Sequence, residues 1–330
     1  MTLTAAAVKA KAKALGADLV GIAAGAVLDA HPPDPGRPQT PSRITREDSK
    51  SVIVLARRLL TGLGRLTGHD DRHKQYSAEL TLSDLEEIEL KLVYFLEDQG
   101  FPAITVPPVH FDPRQYDRSG DSRGPLSLPH AAVEAGLGTL GLNLMLLTPE
   151  FGPRVILGAV LTSAALEPDR PLGAPLCLGE ACGRCLLACP GDAIGQWTLD
   201  KPRCAPYASP YGFGYLSDHL ERIVKAPPDA QIGFLKSRES FMVWQSILRG
   251  VGVYSGCTRC VDVCPVGQDY EAHLREIQDQ IPERTPEKEA RLRELARRRE
   301  RGDRGPHFAH SARWIDGPLP TTDSPTSART

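Results

Sequence analysis

The sequence predicts a mixed α/β (α+β) domain over residues 1–165, a cysteine-rich module over 166–282, and a charged helix with a disordered tail over 283–330. Three observations carry this. Short β-branched runs alternate with helical periodicity through the first half, the pattern of a sheet layered with helices. All eight cysteines lie between Cys177 and Cys264. Beyond Ile281 the composition shifts to Glu, Arg and Lys and then to Pro, Ser and Thr, which bury too little apolar surface to fold alone.

The elements follow in order. Thr4–Leu15 is Ala- and Lys-rich and reads as a helix stopped by Gly16. Asp18–Ala24 is a short apolar strand, and the prolines between His31 and Ser42 make a surface loop. Ser51–Ala56 is a continuous β-branched run, a strand buried on both faces. Ser83 with Glu86 forms a capping box. The helix it opens runs to about Gln99, with Leu85, Ile88, Leu92, Phe95 and Leu96 inward and Gly100 closing it. Ala103–Val106 is a third strand.

A polar loop from His110 to Gly124 leads into Leu128–Gly138, a short helix broken by glycines. Asn143–Thr148 and Arg154–Thr162 read as strands joined in a hairpin by Pro149–Gly152. A short helix is expected over Cys185–Ile194 and an irregular loop over Ala205–Gly214. Ala230–Leu248 reads as a helix with Ile232, Leu235, Phe241, Trp244 and Leu248 in the core. The helix from Ile281 to about Arg301 reads as a solvated face.

The chemistry lies in the cysteines. Cys177, Cys182, Cys185 and Cys189 are spaced x4, x2 and x3, with Pro190 after the last. Cys257, Cys260 and Cys264 repeat the x2, x3 spacing before Pro265, and Cys204 stands between. Iron–sulfur clusters take four thiolates each, so eight cysteines supply two [4Fe–4S] clusters. In two-cluster ferredoxins the cysteine before proline ligates the other cluster. One cluster then takes Cys177, Cys182, Cys185 and Cys264, the other Cys189, Cys204, Cys257 and Cys260. Zinc also uses C-x2-C pairs, and disulfides need an oxidising compartment. The x2, x3, Pro spacing favours clusters.

Composition narrows the rest. Of 330 residues, 41% are hydrophobic and 24% charged, ordinary values for a soluble globular chain. A net charge of −2 gives no overall electrostatic case for nucleic acid. No apolar run is long enough to span a bilayer. The first residues carry neither a hydrophobic signal core nor a twin-arginine pair, so the expectation is a cytoplasmic monomer without a membrane partner. Gly136-Leu-Gly138-Thr-Leu-Gly141 has the letters of a dinucleotide loop but opens onto a strand.

The segment Glu134-Ala-Gly-Leu-Gly-Thr-Leu-Gly-Leu-Asn143-Leu-Met-Leu-Leu-Thr148-Pro-Glu-Phe-Gly152, then Leu157–Thr162, then the paired cysteine motifs, resembles the epoxyqueuosine reductases and reductive dehalogenases. The resemblance runs from Leu126 to Asp269. It implies a nitroreductase-like domain binding cobalamin, followed by a ferredoxin-like module that passes electrons to cobalt. It also implies an external low-potential donor of ferredoxin or flavodoxin type, and an epoxide-like electrophile, small or borne on tRNA.

The departures are specific. The first cysteine gap is x4 where the family has x2. The family's G-K-N reads Gly141-Leu142-Asn143. Its D-S-A-P segment is matched only in part, by Asp121-Ser122-Arg123-Gly124-Pro125, and its C-terminal helical repeat is not evident. Gly136, Gly138, Gly141 and Asn143 are the cofactor-binding candidates, the glycines serving either close approach of a corrin or tight turns. Asp121 and Tyr116 are the catalytic candidates, with Asp117 and His110 in reserve, and His130 reads as packing. An electron-transfer protein without its own substrate and a flavin reductase are the alternatives.

Overall fold

Period-two alternation in the apolar runs builds the sheet. Val52 and Val54 pack into one core cluster while Ile53 and Leu55 pack into another, all four fully buried. A strand like this needs cover on both sides. The computed structural model describes residues 3–66, 71–108, 112, 123–249, 257–268, 280–305 and 308–315.

In chain order the first half holds α1 (Ala5–Leu15), β1 (Leu19–Ala24), α2 (Gly25–Ala30), β2 (Ser51–Arg58), α3 (Asp71–Asp98) and β3 (Ala103–Val106). Next come α4 (Leu128–Glu134), β4 (Thr139–Leu140), β5 (Leu146–Leu147) and β6 (Val155–Thr162). The cysteine region holds α5 (Arg184–Leu187), α6 (Lys201–Ala208), α7 (Phe213–Lys225), α8 (Pro228–Leu235), α9 (Arg238–Arg249) and α10 (Arg259–Asp262). Two more helices follow, α11 (Pro286–Glu300) and α12 (Phe308–Ile315).

The main sheet has the order β1-β2-β6-β3, every pair antiparallel. β6 enters between β2 and β3, with Ser51 opposite Thr162 and Ala103 opposite the same residue. Helices α1 and α3 cover one face through Val8, Ala12, Leu85, Ile88, Leu92 and Leu96. On the other face lies α4, and its core runs on without a break into Leu186, Leu187, Ile194 and Trp197 of the cysteine region. The cysteine loops are therefore packed on the sheet domain as one core.

Thr4 caps α1 by accepting from the Ala7 amide, and Gly16 ends it at φ 118°, as the sequence suggests. The helix of the capping box is longer than expected. It begins at Asp71, not Ser83, so Ser83 and Glu86 lie in its interior. Their side chains fit an exposed helix face as well as an N-terminus, and the apolar spacing of Ala78, Leu82, Leu85 and Ile88 carries the helix past them. Gly100 does close it.

The expected hairpin between Asn143–Thr148 and Arg154–Thr162 is not formed. β5 is two residues long and pairs with β4, while β6 goes to the main sheet. A bridge from Thr148 to Gly152 is the remnant of that turn.

In the cysteine region, α6 takes the first part of the expected loop and leaves a turn over 209–212, so Cys204 sits on a helix capped by Asp200. Ala230–Leu248 is two helices, broken at Lys236 and Ser237. Of its expected core, Ile232, Leu235, Phe241, Trp244 and Leu248 are all exposed, and Val243 and Ser246 face inward instead. Residues 308–315 of the expected disordered tail form α12, with Trp314 and Ile315 buried against α4 and β4.

Candidate metal centre

The small β4–β5 hairpin sets the wall of the site. Gly138 is needed because a Cβ there would run into the Leu147 carbonyl of the facing strand. Gly136, at φ 73°, lies 2.6 Å from the Arg170 carbonyl by the same measure. The space these two glycines free is taken by the chain itself. The turn from Gly141 to Met145 closes with a Leu144 amide to Gly141 carbonyl bond of 2.8 Å, and places Leu144 at φ 59°. That left-handed conformation is costly for a leucine and is held by the hairpin around it.

Gly141 and Asn143 on this turn line a cavity of about 260 Å³ together with Cys177, Cys182, Cys185 and Cys264. These are the four cysteines that the spacing assigns to one cluster. Cys264 reaches the other three because the Pro149–Gly152 turn docks against its loop. The Gln268 amide donates to the Glu150 carbonyl at 2.9 Å, and Arg154 donates to the carbonyls of Cys264 and Val266 at 3.0 and 2.5 Å. Gly152, at φ 55°, leaves no room for a side chain beside Val266.

The second set is equally coherent. Burial, then the charges of Cys257, Cys204 and Cys189 as neighbours, pushes the Cys260 thiol up to about 12. Cys204 is raised by burial and then by Cys189. In the first set, burial and then Cys177 and Cys182 push Cys264 up to about 11, against the Arg154 charge. Cys185 is raised by burial and then by Cys260, and the helices that carry them, α5 and α10, pack on one another. These raised thiols are difficult to ionise alone; a polynuclear iron core would reverse this, because a coordinating thiol is deprotonated outright.

Backbone amides already point at the sulfurs. Cys177 Sγ accepts from Leu142 and Gly179 at 3.4 and 3.3 Å, and Cys189 Sγ accepts from Ala193 at 3.2 Å. Such bonds set cluster potentials. The residues present therefore fit two four-thiolate clusters. Among the described residues no three His, Cys, Asp or Glu side chains are grouped as a site for a single metal ion.

Further out, Lys74 of α3 pairs with Asp262, both nearly buried, and Thr258 donates to the same carboxylate at 2.8 Å. Arg259 makes a two-pronged pair with Glu283 at 2.6 and 2.5 Å. Helix α11 is not the solvated face expected of it. Lys288 is buried and donates to the Cys189 carbonyl, and Arg291 and Arg299 reach the same loop. No periodicity argument finds these residues, because long cations on a polar helix look alike whether they face water or carbonyls.

Asp121, Tyr116, Asp117 and His110 lie outside the described residues. His130 is packed as expected, edge-on to Trp314 at 4.5 Å and bonded to Ser127, and burial lowers its pKa to about 4. Glu134 accepts from Arg313 and from the Trp314 indole at 3.0 Å, so α12 fastens the Ala135–Gly138 segment from outside. The cavity walled by four thiols has the lining a cluster would need, and at about 260 Å³ it is below the size that drug-sized ligands occupy, let alone a corrin. The described residues do not by themselves frame a cobalamin site.

No family model matches the chain. An epoxyqueuosine reductase from Listeria monocytogenes is 31% identical over 161 residues, covering 48% of this chain and 35% of that protein. A tetrachloroethene reductive dehalogenase from Dehalobacter restrictus is 31% identical over 150 residues, 38% of this chain and 24% of its own length. The match thus spans about a third or less of these relatives. Among solved structures, a reductive dehalogenase described as B12-dependent aligns with TM-score 0.51 at 18% identity, over 92% of this chain and 37% of that one. That likeness concerns the fold. By these sequence matches, the chain is similar to the epoxyqueuosine reductases and reductive dehalogenases.

Proposed function

We propose that the chain is an iron–sulfur oxidoreductase that passes electrons through two [4Fe–4S] clusters to a bound cobalamin, for reduction of an electrophilic substrate of the epoxide type. The observation that carries this is the cavity ringed by Cys177, Cys182, Cys185 and Cys264, thiols from two distant segments brought to one place. The neighbouring group of Cys189, Cys204, Cys257 and Cys260 supplies the second cluster, and Cys185 beside Cys260 gives the short path between them.

The names of the sequence relatives support a reductase, and the description of the structural neighbour supports cobalamin. When bound, the clusters supply low-potential electrons and cobalamin a reducible metal. The chain's own residues hold and tune. The amides of Leu142, Gly179 and Ala193 stabilise sulfur charge. Gly141 and Asn143 wall the first cluster, and the Asn143 side chain donates to the Cys260 carbonyl at 3.4 Å, tying the hairpin to the second. Asp121 and Tyr116 remain the proposed proton donors. An external ferredoxin- or flavodoxin-type protein is the proposed electron source, and the reading is of a cytoplasmic monomer. No described helix is long and apolar enough to cross a membrane.

Protein purified without oxygen should carry about eight iron and eight acid-labile sulfides. Stoichiometric zinc with negligible iron overturns the cluster reading. Titration with cob(II)alamin tests the acceptor, and failure to bind at micromolar concentration alongside tight flavin binding replaces cobalamin with flavin.

A further inference from the structure

We infer that Lys288 of α11 raises the reduction potential of the cluster held by Cys189, Cys204, Cys257 and Cys260. This rests on the two-cluster reading. Helix α11 lies along the cysteine loop, packing on α5 and on the turn at Gly179–Ala181. Leu292 fills the space beside Gly183, which holds φ 58° and leaves no room for a Cβ. From Lys288 to Arg299 the helix rises roughly 16 Å, enough to reach both cluster loops.

The two ends of α11 differ in charge balance. Near its C-terminus, Arg299 donates to the Leu178 carbonyl at 3.0 Å and meets Glu180 at 3.2 Å, whose side chain is 0% exposed. That cation is matched by an anion in the same place. Near the N-terminus, Lys288 Nζ donates to the carbonyls of Cys189 and Leu187 at 2.7 and 3.4 Å. Its acidic neighbour is Asp192, whose buried Oδ1 lies 3.6 Å away. Arg291 adds a second cation there, donating to the Ile194 carbonyl at 2.8 Å and to the Asp192 carbonyl at 3.3 Å.

Reduction places one electron, and so one negative charge, on a cluster. A buried ammonium stabilises that charge, and its carboxylate neighbour offsets the effect in part. Lys288 touches the carbonyl of a cluster ligand, so it acts on the potential without touching the iron. Each cluster takes one electron from a one-electron donor, which is oxidised in step.

The test is a redox titration followed by EPR on protein purified without oxygen. The native chain should show two one-electron midpoint potentials. Lys288→Met should move one of them to a more negative value and leave the other in place, and Lys288→Arg should restore it. Asp192→Asn should move the same potential the opposite way. Asp192 already holds φ 51°, a conformation asparagine tolerates, so this variant keeps the loop. In a Cys264→Ala background, in which the Cys189 cluster alone should stay intact, Lys288→Met must still shift the surviving potential. Unmoved potentials in Asp192→Asn, or equal movement of both in Lys288→Met, overturn the inference. If Lys288→Met loses iron, Asp192→Asn decides. Absence of iron from the native protein defeats the cluster reading instead, which the metal content shows before any titration.

Discussion

The sheet domain and the cysteine module are held together by different means. In the sheet domain, Ile22, Ile53, Leu55, Leu85, Leu92, Leu96 and Leu161 are fully buried in continuous cores on the two faces. In the module, α6 and α8 bury no residue, and α7 buries only His219. Beyond Leu186, Leu187, Ile194 and Trp197, which share the core of the sheet, the module is organised by charged side chains on carbonyls, such as Arg154 on Cys264 and Lys288 on Cys189, with glycines where two backbones meet. Apolar burial stabilises in proportion to area and needs no partner. Carbonyl clamps contribute only when the loop is already in place. The first half should therefore hold without a cofactor, while the second should depend on the iron proposed for its cysteines.

The largest effect follows from removing a shared ligand. Cys264→Ala should lower iron from about eight to about four per chain, with loss of the EPR signal of the cluster that Cys177, Cys182 and Cys185 otherwise hold. Disturbance confined to the other cluster would break the ligand assignment. Protease should then cut the module faster while the sheet domain resists, and equal susceptibility of both would erase the contrast drawn above.

Next comes the sheet core. Leu85→Ala removes a fully buried side chain from the α3 face and should cost about 2–5 kcal/mol in chemical denaturation. Iron per folded chain should not change. A parallel loss of iron would show that the two halves are not separable.

A third effect depends on pH. Glu89 of α3 is buried against Gly158, and its Oε1 has no hydrogen-bond partner among the described residues. Burial, then the charge of Glu86, pushes its pKa up to about 9. An unfolded glutamate titrates near 4.3. The folded value is raised, so the contribution is fully present below the unfolded pKa and is lost as pH rises towards 9. The slope is at most about 1.4 kcal/mol per pH unit. Glu89→Gln should flatten the decline of the denaturation midpoint between pH 5 and 8 (both inside that window), whereas an unaltered slope would assign it to other groups.

The smallest expected effect is at the N-terminus of α11, where Thr285 accepts from the Lys288 amide at 3.3 Å. Thr285→Ala should cost about 1 kcal/mol. It should also speed iron loss under chelation, because the same turn carries Lys288. Stability loss without faster iron loss would separate the helix from the loop it clamps.

The sequence itself disclosed the elements whose residues need only their own neighbours. β1, β2 and β3 were legible in β-branched runs, α1 in its Thr4 and Gly16 ends, and the cysteine groups in their spacing, because ligand spacing within one loop is a local property. The start of α3 was obscured by a capping box that also suits a helix interior. The partner of β6 was misread because Pro149–Gly152 has turn chemistry but connects two different sheets.

What tertiary structure alone decided is which surfaces are covered and which distant groups meet. Trp244 and Leu248 lie on an amphipathic pattern that predicts burial, yet nothing in the described residues covers them. Trp314 lies in a tail whose composition predicts disorder, yet it fits between His130 and Glu134. Lys288, Arg291 and Arg299 have a composition suited to water, and only the approach of α11 to the cysteine loop turns them on carbonyls. Periodicity specifies that a face is apolar or charged; the partner of that face is fixed by the packing of segments far apart in the chain.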